Sequence, residues 1–356
     1  MSQKFIENHM RSVSRSPFGQ FYVLYKIHKG IGDDGKWPTR PVCSDVSSLA
    51  HGLGKWVNEE LSPVAQAQES YFQDTFALKK LLDGLEVPPG ALLFTADATA
   101  MYTNIKTEPA LAEMEAYLRK HKKDFSYPCE ALIEALKIVF RNNYFKFGDT
   151  YNKQISGTAM GTPPAPPWAT CTYGNYERTL IPRWKSRVPF YRRFIDDVLG
   201  IWLCHHNADE NDVLFEQYKS DLNGWNGLKW KCSTLSTSVN FMDLTISIFD
   251  GRIHTTIYEK EQNLYLYIPP HSSHPKGVLT GLIFGQVLRL RRLCSDQMDA
   301  DNKIREFYKR LRRRGHEDDS LQPLFRRAEE NAATYMNRSD KEKERLCKLK
   351  KIASNK

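Results

Sequence analysis

Residues 188–203 read VPFYRRFIDDVLGIWL, and this stretch decides the fold prediction because two apolar runs flank a pair of adjacent acids. The pattern around Asp196 and Asp197 predicts a strand, a tight turn and a second strand. A third acid, Asp97, ends the continuous apolar run ALLFTAD (91–97), which predicts a buried strand. Taken alone, each segment also fits an ordinary solvated turn or a helix cap.

Acids at the end of a buried strand and on a tight turn concentrate negative charge. Such charge costs folding free energy unless cations neutralise it. Carboxylates that hold two Mg²⁺ ions, with roughly 3.5 to 4 Å between the ions, would offset that cost. Such a pair of ions catalyses phosphoryl transfer. Asp97, Asp196 and Asp197 are therefore candidate metal ligands and catalytic residues.

The rest of the chain mixes strands and helices without a regular alternation. FYVLYKIHKG (21–30) and WPTRPVCS (37–44) predict an antiparallel pair of extended segments. Three strand candidates follow a predicted helix at about 209–223, and from about residue 276 the pattern is helical and basic. No series of alternating β and α units is present, so the sequence favours an α+β core.

Composition sets the class of protein. A hydrophobic content of 41% with 26% charged residues is ordinary for a soluble globular chain. No apolar run approaches the roughly 18 to 20 residues of a membrane span, and the first residues do not resemble a signal peptide. We therefore expect an intracellular protein, in the nucleus or the cytoplasm, with no membrane partner.

The net charge of +9 is concentrated near the end of the chain. Residues 286–356 hold 20 Lys and Arg against 12 Asp and Glu, whereas residues 1–285 hold 31 against 30. This basic segment favours a polyanionic partner such as nucleic acid. The alternative is a basic helical face that is merely solvated.

Three segments in order carry a resemblance to a known family. TADATAMY (95–102), GTAMGTPPAP (157–166) and RRFIDDV (192–198) resemble motifs A, B and C of the reverse-transcriptase palm. Together with LYKIHKG, TRPVCS, VNFMDLTI and HPKGVLTGLIFGQVLRLRRLCSD, they are similar to the reverse transcriptases of Penelope-like retroelements. These matches run from about residue 21 to about residue 296.

The resemblance implies a right-hand polymerase. Residues 1–90 would form the fingers after a lead-in of about 20 residues, residues 91–250 the mixed α/β palm, and residues 251–356 the palm edge, the helical thumb and a basic tail. The implied reaction is RNA-directed addition of deoxynucleotides to a primer 3′-OH with two Mg²⁺ ions, Mn²⁺ being an alternative. The implied partners are an RNA template, a DNA or RNA primer and deoxynucleoside triphosphates, while protein partners stay unpredicted.

The resemblance also assigns substrate contacts. Lys26 and Arg40 would hold the incoming triphosphate, and Tyr102 would stand against its sugar so that a 2′-OH clashes. Gly161 belongs to a loop that a base or template strand approaches, and Phe194 is the aromatic residue of the third motif. The alternatives are surface charges, a core aromatic and a structural turn.

In the predicted thumb, Arg289, Arg291 and Arg292 are candidate contacts to the primer–template backbone. Asp243, in the VNFMDLTI segment, is interpreted as structural. The apolar positions of the same thumb helix are expected to be core.

Two rival functions stay open. A telomerase-like or group II intron-type polymerase would carry glutamine at the position of Met160 and different thumb segments. A domesticated, catalytically silent RNA-binding protein would keep the fold without turnover. No GIY-YIG endonuclease pattern follows the predicted thumb, so we expect an endonuclease-lacking form, a fragment or a domesticated copy.

Overall fold

The computed structural model describes residues 17–338, apart from 28–29, 33, 47, 124–127, 261–262 and 276. The described residues form two compact units, one drawn from Met1–Asp74 and Pro88–Thr237 and the other from Thr75–Val87 and Ser238–Lys356. Most of the predicted lead-in and the end of the predicted basic tail lie outside the described residues. The three-part division at residues 90 and 250 stays a prediction.

Strands and helices are mixed along the described chain, as the α+β prediction requires. In order they are β1 (Gly19–Tyr25), β2 (Thr39–Ser44), α1 (His51–Gln66), α2 (Thr75–Leu82), β3 (Ala91–Ala98), α3 (Met101–Asn104), α4 (Thr107–Lys120), α5 (Cys129–Arg141), β4 (Tyr144–Phe147), β5 (Thr150–Lys153), α6 (Ala165–Trp184), β6 (Phe190–Phe194), β7 (Asp197–Leu203), α7 (Ala208–Leu222), β8 (Trp230–Cys232), β9 (Ser238–Phe241), β10 (Leu244–Phe249), β11 (Arg252–Ile257), α8 (Val278–Leu293), α9 (Gln297–Arg313) and α10 (Asp318–Met336).

The central sheet of the first unit has the strand order β6-β7-β3-β8, and each neighbouring pair is antiparallel. Its β3 strand matches the apolar run predicted to be buried. Leu93 and Phe94 point to opposite faces of the sheet, and both are fully buried. Burial on both faces explains why the run is continuously apolar instead of alternating.

One face of this sheet packs against helices to form the main core. Phe94, Val198 and Trp202 from the sheet share this core with residues of α1, α4, α5 and α6. Gly200 lies opposite Phe94 in β7, where a β-carbon would stand 2.2 Å from the Phe94 ring. A residue without a side chain is therefore needed there for the phenylalanine to fit.

A second sheet of the first unit has the order β2-β1-β4-β5. The β1 and β2 strands pair antiparallel over residues 20–25 and 39–44, as the sequence predicted. The Cys43 N–H donates to the carbonyl of Met160 at 2.8 Å, which connects β2 to the glycine-proline loop (residues 157–164) before α6.

The second unit combines the three-stranded antiparallel sheet β11-β10-β9 with α2 and the helices α8, α9 and α10. A short turn separates α8 from α9, and the side chain of Asp296 caps α9 by accepting from the N–H groups of Met298 and Asp299. Nowhere in the described parts of the chain is a helix both long and apolar enough to span a membrane.

Candidate active site

The three predicted acids come together at one edge of the central sheet. Asp97, near the end of β3, lies directly opposite Asp197, the first residue of β7. Residues directly opposite each other on antiparallel strands project their side chains to the same face. Asp196 occupies the preceding turn, and its carbonyl accepts the Ala98 N–H at 2.8 Å. Segments about 100 residues apart in sequence thus bring the three acids to one edge of the sheet, where Asp97 and Asp196 line a cavity and Asp197 does not.

The electrostatics of these acids would favour a bound cation. Burial raises the pKa of Asp196, and the neighbouring charge of Asp97 raises it as well, while a backbone hydrogen bond and Arg40 act in the opposite direction. Two carboxylates that face each other at neutral pH repel, and a bound cation removes that repulsion.

The carboxylate oxygens of this site fit the way in which Mg²⁺ is bound together with a substrate. Mg²⁺ takes oxygen ligands and is commonly held by one or two carboxylates together with substrate phosphates and water. Within the residues that the structure describes, no group of three or more His, Cys, Asp and Glu side chains is arranged to hold a metal ion. Asp97 and Asp196, which line one cavity, therefore form a two-carboxylate set that a bound triphosphate would complete.

This cavity has a volume of about 780 Å³ and lies within the first unit. Six of the residues predicted from sequence line it: two acids, two cations, an aromatic and a glycine. They are Asp97, Asp196, Lys26, Arg40, Tyr102 and Gly161. Opposite charges lining one cavity suit a substrate that brings both phosphates and divalent cations.

Tyr102 lies in the short helix α3, directly after the strand that carries Asp97. The backbone between them turns through Ala100, whose φ is +47°. Burial, with a further contribution from the charge of Asp196, raises the pKa of Tyr102 to about 12, so its hydroxyl stays protonated at neutral pH. The Tyr102 carbonyl accepts the Thr158 N–H at 2.6 Å, which joins this segment to the glycine-proline loop.

The glycines of that loop are required by close backbone packing. Gly161 has φ +117°, and a β-carbon there would lie 3.0 Å from the carbonyl oxygen of Cys43 and from the Cα of Ser44. Gly157 has φ +84°, and its β-carbon would meet the carbonyl of Thr103 at 2.9 Å. The loop is therefore held against both β2 and α3, with Gly161 at the cavity wall.

Lys231 is a cavity residue that the sequence interpretation missed. It lies in β8 directly opposite Asp97, so its side chain projects to the face that carries the acids. The sequence signal was a lysine between Trp230 and Cys232 in a predicted strand. The pairing of β8 with β3 was not predictable from that pattern.

Phe194 does not line the acidic cavity. Its ring packs on that of Phe72, with 5.6 Å between the centroids, and it lines a separate cavity of about 270 Å³ together with Ile195. Its assignment as a substrate contact stays a prediction.

The three predicted thumb arginines make contacts inside the second unit. Arg289 forms an ion pair with Asp243, which also accepts the Thr75 hydroxyl at 2.6 Å. Arg291 binds Glu329 at 2.9 Å and also pairs with Asp301, while the Arg292 guanidinium stacks over Phe76. Their role as nucleic-acid contacts stays a prediction, and Asp243 has the structural contacts expected of it.

Comparisons with known proteins give one family match. The model described as "Animal helix-turn-helix domain" matches residues 266–326, which cover α8, α9 and the first half of α10. This match covers less than half of the chain. No curated protein matches the sequence.

Solved structures show the fold. The chain is similar to telomerase from Candida albicans in complex with a telomeric RNA fragment, at 10% identity and TM-score 0.56 over 91% of this chain. It is also similar to the BmCPV RNA-dependent RNA polymerase at its elongation state, at 11% identity and TM-score 0.52 over 87% of this chain. The chain spans 60% of the length of the telomerase and 27% of the viral polymerase. The protein has a polymerase-like fold.

Proposed function

We propose that this chain is the catalytic region of an RNA-directed DNA polymerase that adds deoxynucleotides to a primer 3′-OH. The observation that carries the proposal is the placement of Asp97 opposite Asp197, with Asp196 in the adjoining turn, beside a cavity that also presents Lys26 and Arg40. An acidic pair that favours divalent cations and a cationic wall that favours phosphates are what nucleotidyl transfer requires.

Each group of the cavity has a distinct task in this proposal. Asp97 and Asp196 would hold two Mg²⁺ ions, or Mn²⁺, with Asp197 beside them; the bound ions would activate the attacking hydroxyl and stabilise the leaving oxygen. Lys26 and Arg40 would bind the triphosphate, Arg40 by a guanidinium fork onto phosphate oxygens. Most of the rate enhancement would come from positioning and from fixed charges.

Tyr102 supports the choice of deoxynucleotides. It lines the same cavity as both acids, and its backbone carbonyl is bonded to the glycine-proline loop. We propose that the ring stands against the sugar of the incoming nucleotide, where a 2′-OH would clash. Replacement by alanine should then relax selection against ribonucleotides.

Among reverse transcriptases, we propose that this chain belongs to the Penelope-like kind. Met160 precedes Gly161 where a telomerase-like or group II intron-type enzyme would carry glutamine. The likeness to telomerase does not choose between these kinds, because a viral RNA polymerase shows a comparable TM-score.

RNA template, primer and deoxynucleoside triphosphates are the proposed partners. The proposal extends to the second unit, where the family match names a helix-turn-helix and where α9 carries a row of exposed cations at Arg305, Lys309 and Arg313. A basic helix of this kind suits contact with a phosphate backbone.

Primer extension on an RNA template with Mg²⁺ tests the proposal. We expect Asp196→Ala to lower incorporation of deoxynucleotides by at least about 10²-fold, because metal ions supply several kcal/mol of transition-state stabilisation. The matched control is Asp149→Ala, which removes an exposed acid from the turn between β4 and β5.

Equal incorporation by wild type and Asp196→Ala would contradict the catalytic assignment. Binding of RNA without incorporation by either protein would instead favour the catalytically silent RNA-binding protein.

A further inference from the structure

The turn that carries Asp196 has an unusual backbone. Ile195, the first residue of the two-residue turn between β6 and β7, has φ +56°. Two-residue hairpin turns place glycine or asparagine at such positions, because a β-branched side chain disfavours the left-handed region. This conformation persists only where surrounding contacts determine it.

The side chain of Arg193 supplies such a contact. Its Nη1 donates to the carbonyl of Ile195 at 2.8 Å, and its Nη2 donates to the carbonyl of Thr170 in α6 at 2.9 Å. The same guanidinium forks onto Glu177, with Nε to Oε1 at 2.6 Å and Nη2 to Oε2 at 2.7 Å. Arg193 has 0% of its side chain exposed and Glu177 has 2%.

Glu177 is itself held from two further directions. The hydroxyl of Ser70 donates to its Oε2 at 2.6 Å, and the hydroxyl of Tyr191 donates to its Oε1 at 2.7 Å. The N–H of Arg193 also donates to the carbonyl of Ser70 at 2.9 Å. The guanidinium is therefore a fixed donor, set by a buried carboxylate on a long helix.

The peptide groups on both sides of Asp196 are thereby held. Arg193 binds the Ile195 carbonyl before it, and the Ala98 N–H binds the carbonyl of Asp196 itself. Ala98 directly follows Asp97 in β3, so the second contact links the two acids that line the cavity. Both bonds hold the backbone from which the Asp196 carboxylate projects.

We propose that Arg193, fixed by Glu177, is a positioning residue that holds the Ile195–Asp196 turn and thereby keeps the Asp196 carboxylate in the cavity that Asp97 also lines. This inference rests on the proposed function for its catalytic consequence. It adds a buried ion pair, neither residue of which lines the cavity.

The chemistry of the Arg193–Glu177 pair favours a role in positioning the turn, and not a role in stabilising the fold. A buried ion pair is weak evidence for stability, since well-packed apolar residues in its place are often as stable. A guanidinium has five donors in a rigid plane and can bind a carboxylate and two carbonyls at once, whereas an ammonium on a flexible stem lacks that geometry. Arginine is thus suited to holding the turn and the helix in one arrangement.

Arg193→Lys is the discriminating variant, because it keeps the charge opposite Glu177 while losing the planar fork. We expect the Mn²⁺ affinity, measured by electron paramagnetic resonance, and kcat with Mg²⁺ each to fall about 10- to 100-fold, as for other groups that orient metal ligands. We also expect faster amide hydrogen exchange over residues 194–198. The matched control is Thr172→Val, which removes a buried hydroxyl that donates to the carbonyl of Trp168 within α6 at 3.0 Å and is not part of the Arg193–Glu177 network, so it should lower only thermal stability.

Should Arg193→Lys fail to fold, the double variant Arg193→Met with Glu177→Met removes both charges and should show the same losses. Unchanged Mn²⁺ affinity and unchanged exchange in the folded variant would overturn the proposal. Equal losses in Thr172→Val would also overturn it, since they would reflect stability alone. A wild type that binds Mn²⁺ in an Arg193-dependent manner but extends no primer would contradict the proposed function and leave the positioning role standing.

Discussion

At the scale of single residues, Asp196 combines two features that oppose each other in the metal-free protein. In the proposed metal site it stands close to Asp97 so that both could bind cations, yet burial and that neighbouring charge both raise its pKa. Its turn also carries the left-handed Ile195, a conformation that costs on the order of 1–3 kcal/mol. The site therefore trades stability for a preformed acidic pair.

The raised pKa of Asp196 predicts that the effect of Asp196→Asn on thermal stability depends on pH. Folding raises the pKa of Asp196, so this group contributes to the free energy of unfolding below the ordinary aspartate pKa. That contribution is lost as the pH rises through the raised pKa. With chelator present, the asparagine variant should melt roughly 2–4 °C higher at pH 7, the shift that about 1 kcal/mol gives in a domain of this size. The gain should shrink towards zero below about pH 4.

Thermal melts of both proteins across this pH range test the prediction, and Mg²⁺ should raise the melting temperature of the wild type only. A gain that is the same at every pH would show that the carboxylate charge is not its cause.

At the scale of elements, the pairing of β3 with β7 decides where the acids stand. The register that places Asp97 opposite Asp197 also places Phe94 opposite Gly200. A slip of one residue would turn every side chain of the strand to the other face. The Phe94 and Gly200 contact therefore supports the same register that the acids need.

We predict that Gly200→Ala destabilises the first unit by about 1–3 kcal/mol, the usual cost of overpacking a core. The new methyl group would meet the Phe94 ring at 2.2 Å, and neither strand can move without disturbing the other. Chemical denaturation followed by tryptophan fluorescence measures the change.

Gly281→Ala is the control for this substitution. Gly281 is exposed within α8, and a β-carbon there would meet no atom within 4 Å. Alanine should raise the stability of that helix by about 0.5–1 kcal/mol. Destabilisation by both substitutions would contradict the steric explanation for Gly200.

At the scale of the whole molecule, charge is distributed unevenly. The chain carries +9, and nearly all of the excess lies in residues 286–356. Within the described part of that segment, the arginines of α8 are engaged by neighbouring acids and rings. The α9 helix exposes Arg305, Lys309 and Arg313 at a spacing of four residues, and Lys309 also pairs with Glu306 at 2.7 Å. Residues four apart share one face of a helix.

Replacing these three exposed cations by alanine should weaken binding of an RNA–DNA hybrid and flatten its salt dependence. Each lost phosphate contact lowers the slope of log K against log salt by about 0.9. The control is the triple alanine variant of Lys120, Lys122 and Lys123, exposed cations at and after the end of α4 that give the same change in net charge. Equal weakening by both variants would show that net charge, and not the α9 face, governs binding.

The three candidate acids and their order along the chain could be predicted from the sequence alone. The strands at 91–97 and on both sides of Asp196 follow from apolar runs and turn residues, which are local signals, and the structure has them as β3, β6 and β7. The antiparallel pairing of β1 with β2 was predictable for the same reason. Six site residues could be predicted because the motifs that contain them were recognised together, and the fold brings these six to one cavity.

The side chains that face these acids, and the partners of the basic residues, became known from the three-dimensional fold alone. Lys231 reaches the cavity because β8 pairs with β3, and Arg193 is buried against Glu177 because α6 packs beneath the turn. Arg289, Arg291 and Arg292 looked like free basic residues in the sequence, yet each has a partner within its own unit. Partners of this kind are set by contacts between residues far apart in the chain, and the pattern of a single segment carries no information about them.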